Sequence, residues 1–309
     1  MILSLCPNPS LDVYYYVGAL KEDDTNRVEN PFLSAGGKGV NAARVISRFT
    51  EDVLLALPLG GCTGECVKEL LEAEGVSLVV VSISSPTRVN TILEQKAKGK
   101  HLLIASSGSP LLKEEREKLE LAVCKDYSPE VLILGGSVPP SLPKDYYARI
   151  IKKFKGTGTK VIVDADGELL KEAVKEGPFA IKPNKYELER LVGSPLIDLK
   201  EIVEAAKEIL KFGVEVVIVS LGEFGALGVS REEIFRVVPP KVEVKNTVGA
   251  GDSLVGAFAY GVYSGKSLKE AVKLGVACGT ATVMEEGVKL CSPETLKSLL
   301  KEVKVLPLA

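Results

Sequence analysis

The residues with the clearest chemical potential lie in Asn246-Thr247-Val248-Gly249-Ala250-Gly251-Asp252-Ser253, between an apolar, strand-like run ending at Val244 and an apolar run from Leu254 to Tyr263 that reads as a helix. A Gly-rich turn feeding a helix start leaves several backbone N–H groups without partners and aims them at one spot. The helix dipole adds partial positive charge there. Together these features make an anion site. A carboxylate beside such a site makes sense as a base. Asp252 would take the proton of a hydroxyl while the N–H groups hold the charge developing on a transferring phosphoryl group. The same residues also read as an ordinary turn with an acidic residue favouring the helix start, because short Gly motifs match by chance.

Other chemistries have little to draw on. The single histidine, His101, lies between Lys100 and Leu102 in what reads as a surface hairpin turn. Acid–base work therefore falls to carboxylates or lysine. The six cysteines are scattered, and Cys62 and Cys66 have no second pair or histidine beside them. They read as buried or part-buried thiols rather than a zinc site.

The elements that must position these residues follow from periodicity. Strands are predicted at 2–6, 12–18, 25–34, 53–59, 76–83, 87–95, 101–106, 130–135, 160–164, 179–182, 214–220, 225–230 and 233–238. Helices are predicted at 40–49, 63–74 with Thr63 as cap, 113–124, 143–154, 168–175, 184–192, 198–211, 250–264, 267–285 and 293–302. Repeated strand–helix units imply an α/β fold with a mostly parallel sheet covered by helices. The segments 12–34 and 87–106 break the rhythm. They are expected to form a small β-sheet lid over the carboxyl ends of the main strands, within one domain spanning 1–309. With Tyr14, Tyr15 and Tyr16 nearby, its outer face could pair with a second copy as a homodimer. In open α/β sheets ligands bind at the carboxyl ends of the strands, where Asp12, Gly36 to Asn41, Ser137, Asp164, Asn184, Glu187 and Gly222 all fall.

The chain has 309 residues, is 46% hydrophobic and carries a net charge of −2, without a Lys/Arg block. Nucleic acid is not an expected partner. No apolar run approaches the roughly 20 residues of a membrane span. The start reads as a strand rather than a signal peptide, so a cytoplasmic location is expected.

Three stretches resemble the PfkB (ribokinase-like) sugar kinases. The 246–253 segment is similar to the second signature of that family. Ala35-Gly36-Gly37-Lys38-Gly39-Val40-Asn41-Ala42-Ala43-Arg44 is similar to the first, and Lys182-Pro183-Asn184-Lys185-Tyr186-Glu187 to its N-x-x-E region. The resemblance spans essentially the whole chain. It implies an ATP-dependent kinase with a three-layer Rossmann-like core and a β lid. It also implies Asp252 as base, with Gly249, Ala250 and Gly251 forming the anion hole. Asn184 and Glu187 would position Mg²⁺ through water, with Asp164 near the metal, and Lys182 would face the nucleotide phosphates. Ser220, Gly222, Thr247, Val276 and Gly279 would line the nucleotide pocket. Asp12, Gly36, Gly37 and Asn41 would bind sugar. Independently of the family, Asn184 and Glu187 have the spacing of a capping box.

Arg27, Lys38 and Arg88 lie close to these elements in sequence, and a phosphosugar kinase must hold a dianion, for which such cations are suited. Gly-Gly-Lys-Gly-x-Asn, Thr25-Asn26-Arg27-Val28 and Thr87-Arg88-Val89-Asn90 resemble the 1-phosphofructokinase and tagatose-6-phosphate kinase branch. That implies a ketohexose monophosphate as acceptor, with fructose 1-phosphate first, tagatose 6-phosphate next and fructose 6-phosphate as a further alternative. The two arginines also read as exposed strand charges. Asn246 departs from the Asp usual at the head of the second signature, which helps bind a monovalent cation in some members. Residues 101–109 depart from that branch's usual stretch. A nucleotide-binding sensor without catalysis is the alternative of another class.

Overall fold

A computed structural model of the chain describes residues 1–18, 20–21, 23–28, 31–95 and 100–308, the side chains at 100 and 101 excepted. Its main sheet has ten strands in the order β14-β13-β12-β11-β10-β9-β8-β1-β4-β5. Seven of them run parallel: β1 (Ile2–Leu5), β4 (Val53–Leu59), β5 (Ser77–Ser82), β8 (Val131–Gly135), β9 (Lys160–Asp164), β10 (Ala180–Ile181) and β11 (Val216–Ser220). An antiparallel edge follows, made of β12 (Ala226–Val229), β13 (Ile234–Val238) and β14 (Lys304–Pro307).

The parallel strands are near-continuous apolar runs because both faces are covered. Ile2, Val131 and Ile133 belong to one buried cluster, whereas Leu3, Leu5, Leu132 and Leu134 belong to another. The first cluster includes residues of α1 (Lys38–Ile46), α2 (Gly61–Ala73), α8 (Ala250–Tyr263), α9 (Leu268–Met284) and α10 (Pro293–Leu299). The second includes residues of α3 (Lys113–Cys124), α4 (Tyr146–Phe154), α5 (Gly167–Val174), α6 (Lys185–Val192) and α7 (Leu199–Leu210). The result is three layers. Each fully buried aliphatic side chain in them contributes about 1.5–3 kcal/mol relative to exposure. The chain leaves β1 for β4 and β5 on one side and returns to β8 on the other. Strand order therefore reverses beside β1, and such a reversal opens a crevice at the carboxyl ends of the strands.

A second, four-stranded sheet has the order β3-β2-β6-β7, with β2 (Ser10–Val17), β3 (Phe32–Gly36), β6 (Arg88–Gln95) and β7 (Lys100–Ile104). It is built from the two segments expected to interrupt the strand–helix rhythm. The turn joining β6 and β7, around Gly99, lies outside the described residues.

Several local expectations are corrected. The strand expected at 25–34 is β3, which starts at Phe32 and reaches Gly36, while residues 25–28 have no regular structure. Residue 60, not Thr63, caps α2, and the Thr63 hydroxyl instead donates to the Thr87 carbonyl at 2.7 Å. Strand β14 is an unpredicted addition: Lys304–Pro307 is only four residues long, mostly exposed and ends in proline. Cys278 and Cys291 form a disulfide with Cα atoms 5.6 Å apart, so they are not thiols. Sequence spacing alone gives no sign that the chain after α9 turns back on the helix. Tyr14 is buried, so the exposed apolar side chains of the small sheet are instead Phe32, Leu33, Val89, Leu102, Leu103 and Ile104.

Candidate active site

Asp252 lies in the first turn of α8, behind Gly249 in a left-handed conformation with φ 80°. Only glycine takes that angle readily, and a Cβ there would meet Leu290 Cδ2 at 2.7 Å. The turn starts α8 at Ala250, whose N–H donates back to the Thr247 carbonyl at 3.5 Å. Asn246 fixes the turn from behind: its Oδ1 accepts from Val248 N at 2.9 Å and its amide donates to the Gly287 carbonyl. Asp252 Oδ2 accepts from Asn41 Nδ2 at 2.8 Å. Desolvation, with Asp164 adding repulsion, pushes the Asp252 carboxyl up to about 6 against the opposing pull of Lys38, Asn41 and Lys182.

A compact charge cluster faces it. Lys38 Nζ lies 2.9 Å from Asp164 Oδ1 and 3.3 Å from Glu187 Oε1, and Lys182 Nζ lies 3.4 Å from the same Asp164 oxygen. Burial alone would lower the Lys38 pKa, but Asp164, Glu187 and Asp252 outweigh it and hold the ammonium charged. Asp164 ends β9, Lys182 follows β10, and Lys38 opens α1. Two strand ends and a helix start therefore build the cluster. Asp164 Oδ2 is buried and has no hydrogen-bond partner among the described residues. Such an orphaned carboxylate oxygen is costly and suits a cation. No group of three or more His, Cys, Asp or Glu side chains among the described residues is placed to hold a metal.

Asn184 and Glu187 form a complete capping box at the start of α6. Asn184 Oδ1 accepts from Glu187 N at 2.9 Å, and Glu187 Oε2 accepts from Asn184 N at 2.8 Å. The cap aims the remaining Glu187 oxygen at Lys38. Asp166, by contrast, is held by Arg190 at 2.6 Å, away from the cluster's contacts.

At the other end of the crevice, Asp12 on β2 accepts from Ser10 Oγ at 2.7 Å and from Asn90 Nδ2 at 2.8 Å, both through Oδ1. Burial raises the Asp12 pKa, opposed by those two bonds and by Arg88. A Cβ at residue 36 would lie 2.1 Å from Asp12 Oδ2, so glycine there leaves the carboxylate its place. Gly37 is the N-cap of α1. Ser10 and Asn90 hold Asp12 and the Asn8 carbonyl accepts from Arg88; Asn8 and Ser10 belong to no motif. Asn8 donates to the Ser107 carbonyl and to Ser137 Oγ at 3.1 and 3.0 Å. The Asn90 position in Thr87-Arg88-Val89-Asn90 was the one available signal.

The three cations expected to converge on one phosphate do not share a centre. Lys38 belongs to the Asp164 cluster. Arg88 donates to the carbonyls of Asn8, Pro9 and Ser106 at 2.8, 3.3 and 2.7 Å. Arg27 is exposed, in a stretch without regular structure. Sequence proximity to a motif does not specify the direction of a long side chain. Among the expected nucleotide-side residues, Ser220 ends β11 beside Asn184, Gly222 starts a single 3-10 turn, and Thr247 is exposed in the turn before α8. Val276 is buried in the core. A Cβ at Gly279 would lie 2.9 Å from the Ala250 carbonyl, so α9 backs directly onto the start of α8.

The family model for pfkB family carbohydrate kinases matches residues 8–295. The chain belongs to that family. The kinase is 35% identical over 300 residues to the ATP-dependent 6-phosphofructokinase isozyme 2 of Escherichia coli (strain K12), covering 96% of this chain and 97% of the relative. It is 34% identical to the 1-phosphofructokinase of Bacillus subtilis (strain 168), covering 99% of each. Its structure matches that of Escherichia coli phosphofructokinase-2 in complex with substrates and products with a TM-score of 0.93, at 35% identity, covering 97% of this chain and 98% of the other. The α/β core with a smaller separate sheet is thus the ribokinase-like arrangement expected from the sequence.

Proposed function

We propose that this kinase transfers the γ-phosphoryl group of ATP to a hydroxyl of a ketohexose monophosphate, with fructose 1-phosphate as the first-choice acceptor. The observation that carries the reading is the crevice itself. It has a carboxylate with a raised pKa at a helix N-terminus, two lysines beside it and a second, hydrogen-bonded aspartate at the sugar end. Fructose 6-phosphate is the second reading, favoured by the likeness to the Escherichia coli 6-phosphofructokinase.

In this mechanism Asp12 orients the acceptor by its hydroxyls, and the backbone at residues 36 and 37 lets the sugar approach closely. Asp252 takes the proton of the attacking hydroxyl. With Oδ2 held by Asn41, Oδ1 is the oxygen that receives it. The N–H groups of Gly249, Ala250 and Gly251 accept the charge developing on the phosphoryl group, and Lys38 and Lys182 share it. Asp164, through its orphaned oxygen, would hold Mg²⁺, which would further neutralise the phosphates. Asn184 and Glu187 would act on it through water, since Mg²⁺ usually keeps several waters. Ser220, Gly222, Thr247 and Gly279 would line the nucleotide side, with Val276 supporting them from the core. Arg88 would be the cation that meets the acceptor's own phosphate. The β2–β6 register, in which Ser10 faces Arg88 and Asp12 faces Asn90, supports this, and Arg27 would join it from the 25–28 stretch.

The small sheet is the lid of a single 1–309 domain in this reading, since it carries Asp12 and Asn90 to the crevice. Its exposed Phe32, Leu33, Leu102, Leu103 and Ile104 support pairing with a second copy. Light scattering of Leu103→Asp should report a smaller species than the parent. No described helix is long and apolar enough to cross a membrane.

A panel of fructose 1-phosphate, fructose 6-phosphate, tagatose 6-phosphate, fructose and ribose with ATP and Mg²⁺ tests the substrate class. Turnover confined to phosphorylated ketohexoses is expected, and turnover of unphosphorylated sugars alone would remove the phosphate site. Gly36→Ala should displace the Asp12 carboxylate. An increase of about tenfold or more in KM for the sugar phosphate, with KM for ATP held, is the expected kinetic result.

A further inference from the structure

Arg44 lies on α1 three residues after Asn41, on the same face of the helix. Its side chain is only 4% exposed. Two arms of the guanidinium fork are taken by Glu74, at the C-terminal end of α2: Nε donates to Oε2 at 2.8 Å and Nη2 to Oε1 at 2.6 Å. The bidentate pair fixes the plane of the guanidinium. The third arm, Nη1, is thereby aimed inward. It donates to Asn41 Oδ1 at 3.1 Å, and to Ser34 Oγ and the Ala35 carbonyl at 3.3 Å each.

Arginine is a donor only. Asn41 must therefore turn its amide oxygen toward Arg44, and its NH₂ group is forced toward Asp252. A carboxylate oxygen of Asp252 is then the acceptor, at 2.8 Å. Without Arg44 the amide could turn over. Asn41 would then present a carbonyl to Asp252, which would repel the carboxylate or favour its protonated form.

We propose that Arg44 is a positioning residue for phosphoryl transfer: held by Glu74, it locks the Asn41 amide in the one orientation that keeps Asp252 pointed and ready as a base. This rests on the reading of Asp252 given above. A plain structural role, tying α1 to α2 through Glu74, accounts for two of the three arms. It does not account for the third arm's contact with Asn41.

A double-mutant cycle tests it. Arg44→Met in the full chain should lower kcat by about tenfold or more, a share of what a general base contributes, and leave KM for ATP within about twofold. In an Asn41→Ala background the same change should have no further effect on kcat, because the group that Arg44 orients is gone. Arg44→Lys, which keeps a donor in the pocket but not the fork, should fall between, and it carries the same cycle if the methionine variant does not fold. An unchanged kcat in a folded Arg44 variant would overturn the inference, as would an undiminished loss in the Asn41→Ala background. Wild-type turnover by Asp252→Asn would overturn the base assignment itself, whatever the Arg44 cycle shows. An inactive Asp252→Asn with an additive cycle would overturn only the role of Arg44.

Discussion

Asp252→Asn is expected to lose turnover by about 10²- to 10⁴-fold, the usual range for a positioned acid or base, and to keep nucleotide affinity. The asparagine preserves shape and can still accept from Asn41, so the geometry of the α8 start survives. What goes is the proton acceptor. In the parent enzyme the same residue sets the acid limb of the pH profile. With its pKa raised to about 6, kcat should fall as pH drops through that value, and Asp252→Asn should lack this limb.

Stability should move the opposite way. A carboxyl whose pKa is higher folded than unfolded binds its proton more tightly in the native state. Its contribution is neutral at low pH and becomes a penalty as pH rises from about 4, the unfolded carboxyl value, to about 6. Above that window the penalty is constant. Asp252→Asn should therefore be more stable than the parent at pH 8, by roughly 1–3 kcal/mol, and the difference should vanish toward pH 4. Thermal melts at the two pH values measure it. Loss of stability at pH 8 on removing the charge would contradict a strained, desolvated carboxylate.

The sequence made Asp252, Asp164, Asn184 and Glu187 legible because each ends a strand or opens a helix within a recognisable pattern, whereas Asp12, inside β2, was legible only through the family resemblance. That placement is local and survives projection onto one dimension. The partners of long side chains do not. Lys38 meets Asp164 across 126 positions and Glu187 across 149, and no local spacing encodes either meeting. Arg44 was visible as part of a motif but not as the residue that orients Asn41, because its fork is set by Glu74 on another helix. Asn8, Ser10 and Asn90 are short polar residues of common types; the β2–β6 register sets Ser10 and Asn90 beside Asp12, and Asn8 is singled out by its bonds to Ser107 and Ser137. Asn184 and Glu187 show how two readings coexist. The capping box is real, and it also delivers a carboxylate to the cluster.

Lys38→Met is the second large effect expected. The ammonium lies between Asp164 and Glu187, both buried, and it also pulls the Asp252 pKa down. Its removal takes away one preorganised cation at the transferring phosphoryl group. Loss of a single such group usually costs about 10²- to 10³-fold in kcat. It also leaves Lys182 alone, 3.4 Å from Asp164, to balance the two carboxylates. Unpaired buried charge destabilises by about 3–5 kcal/mol when solvent is excluded. The Lys38 side chain is 32% exposed, so water screens part of the loss and about 1–3 kcal/mol is the expected figure. With Lys38 gone, the Asp252 carboxyl should titrate above its parent value, and the acid limb of kcat should move to higher pH. The two variants thus separate cleanly at pH 8. Both lose turnover, but Asp252→Asn should melt above the parent and Lys38→Met below it. Melting temperatures of the three proteins in one buffer decide the matter, since a Lys38 that merely decorated the surface would leave both the melt and the acid limb where they are.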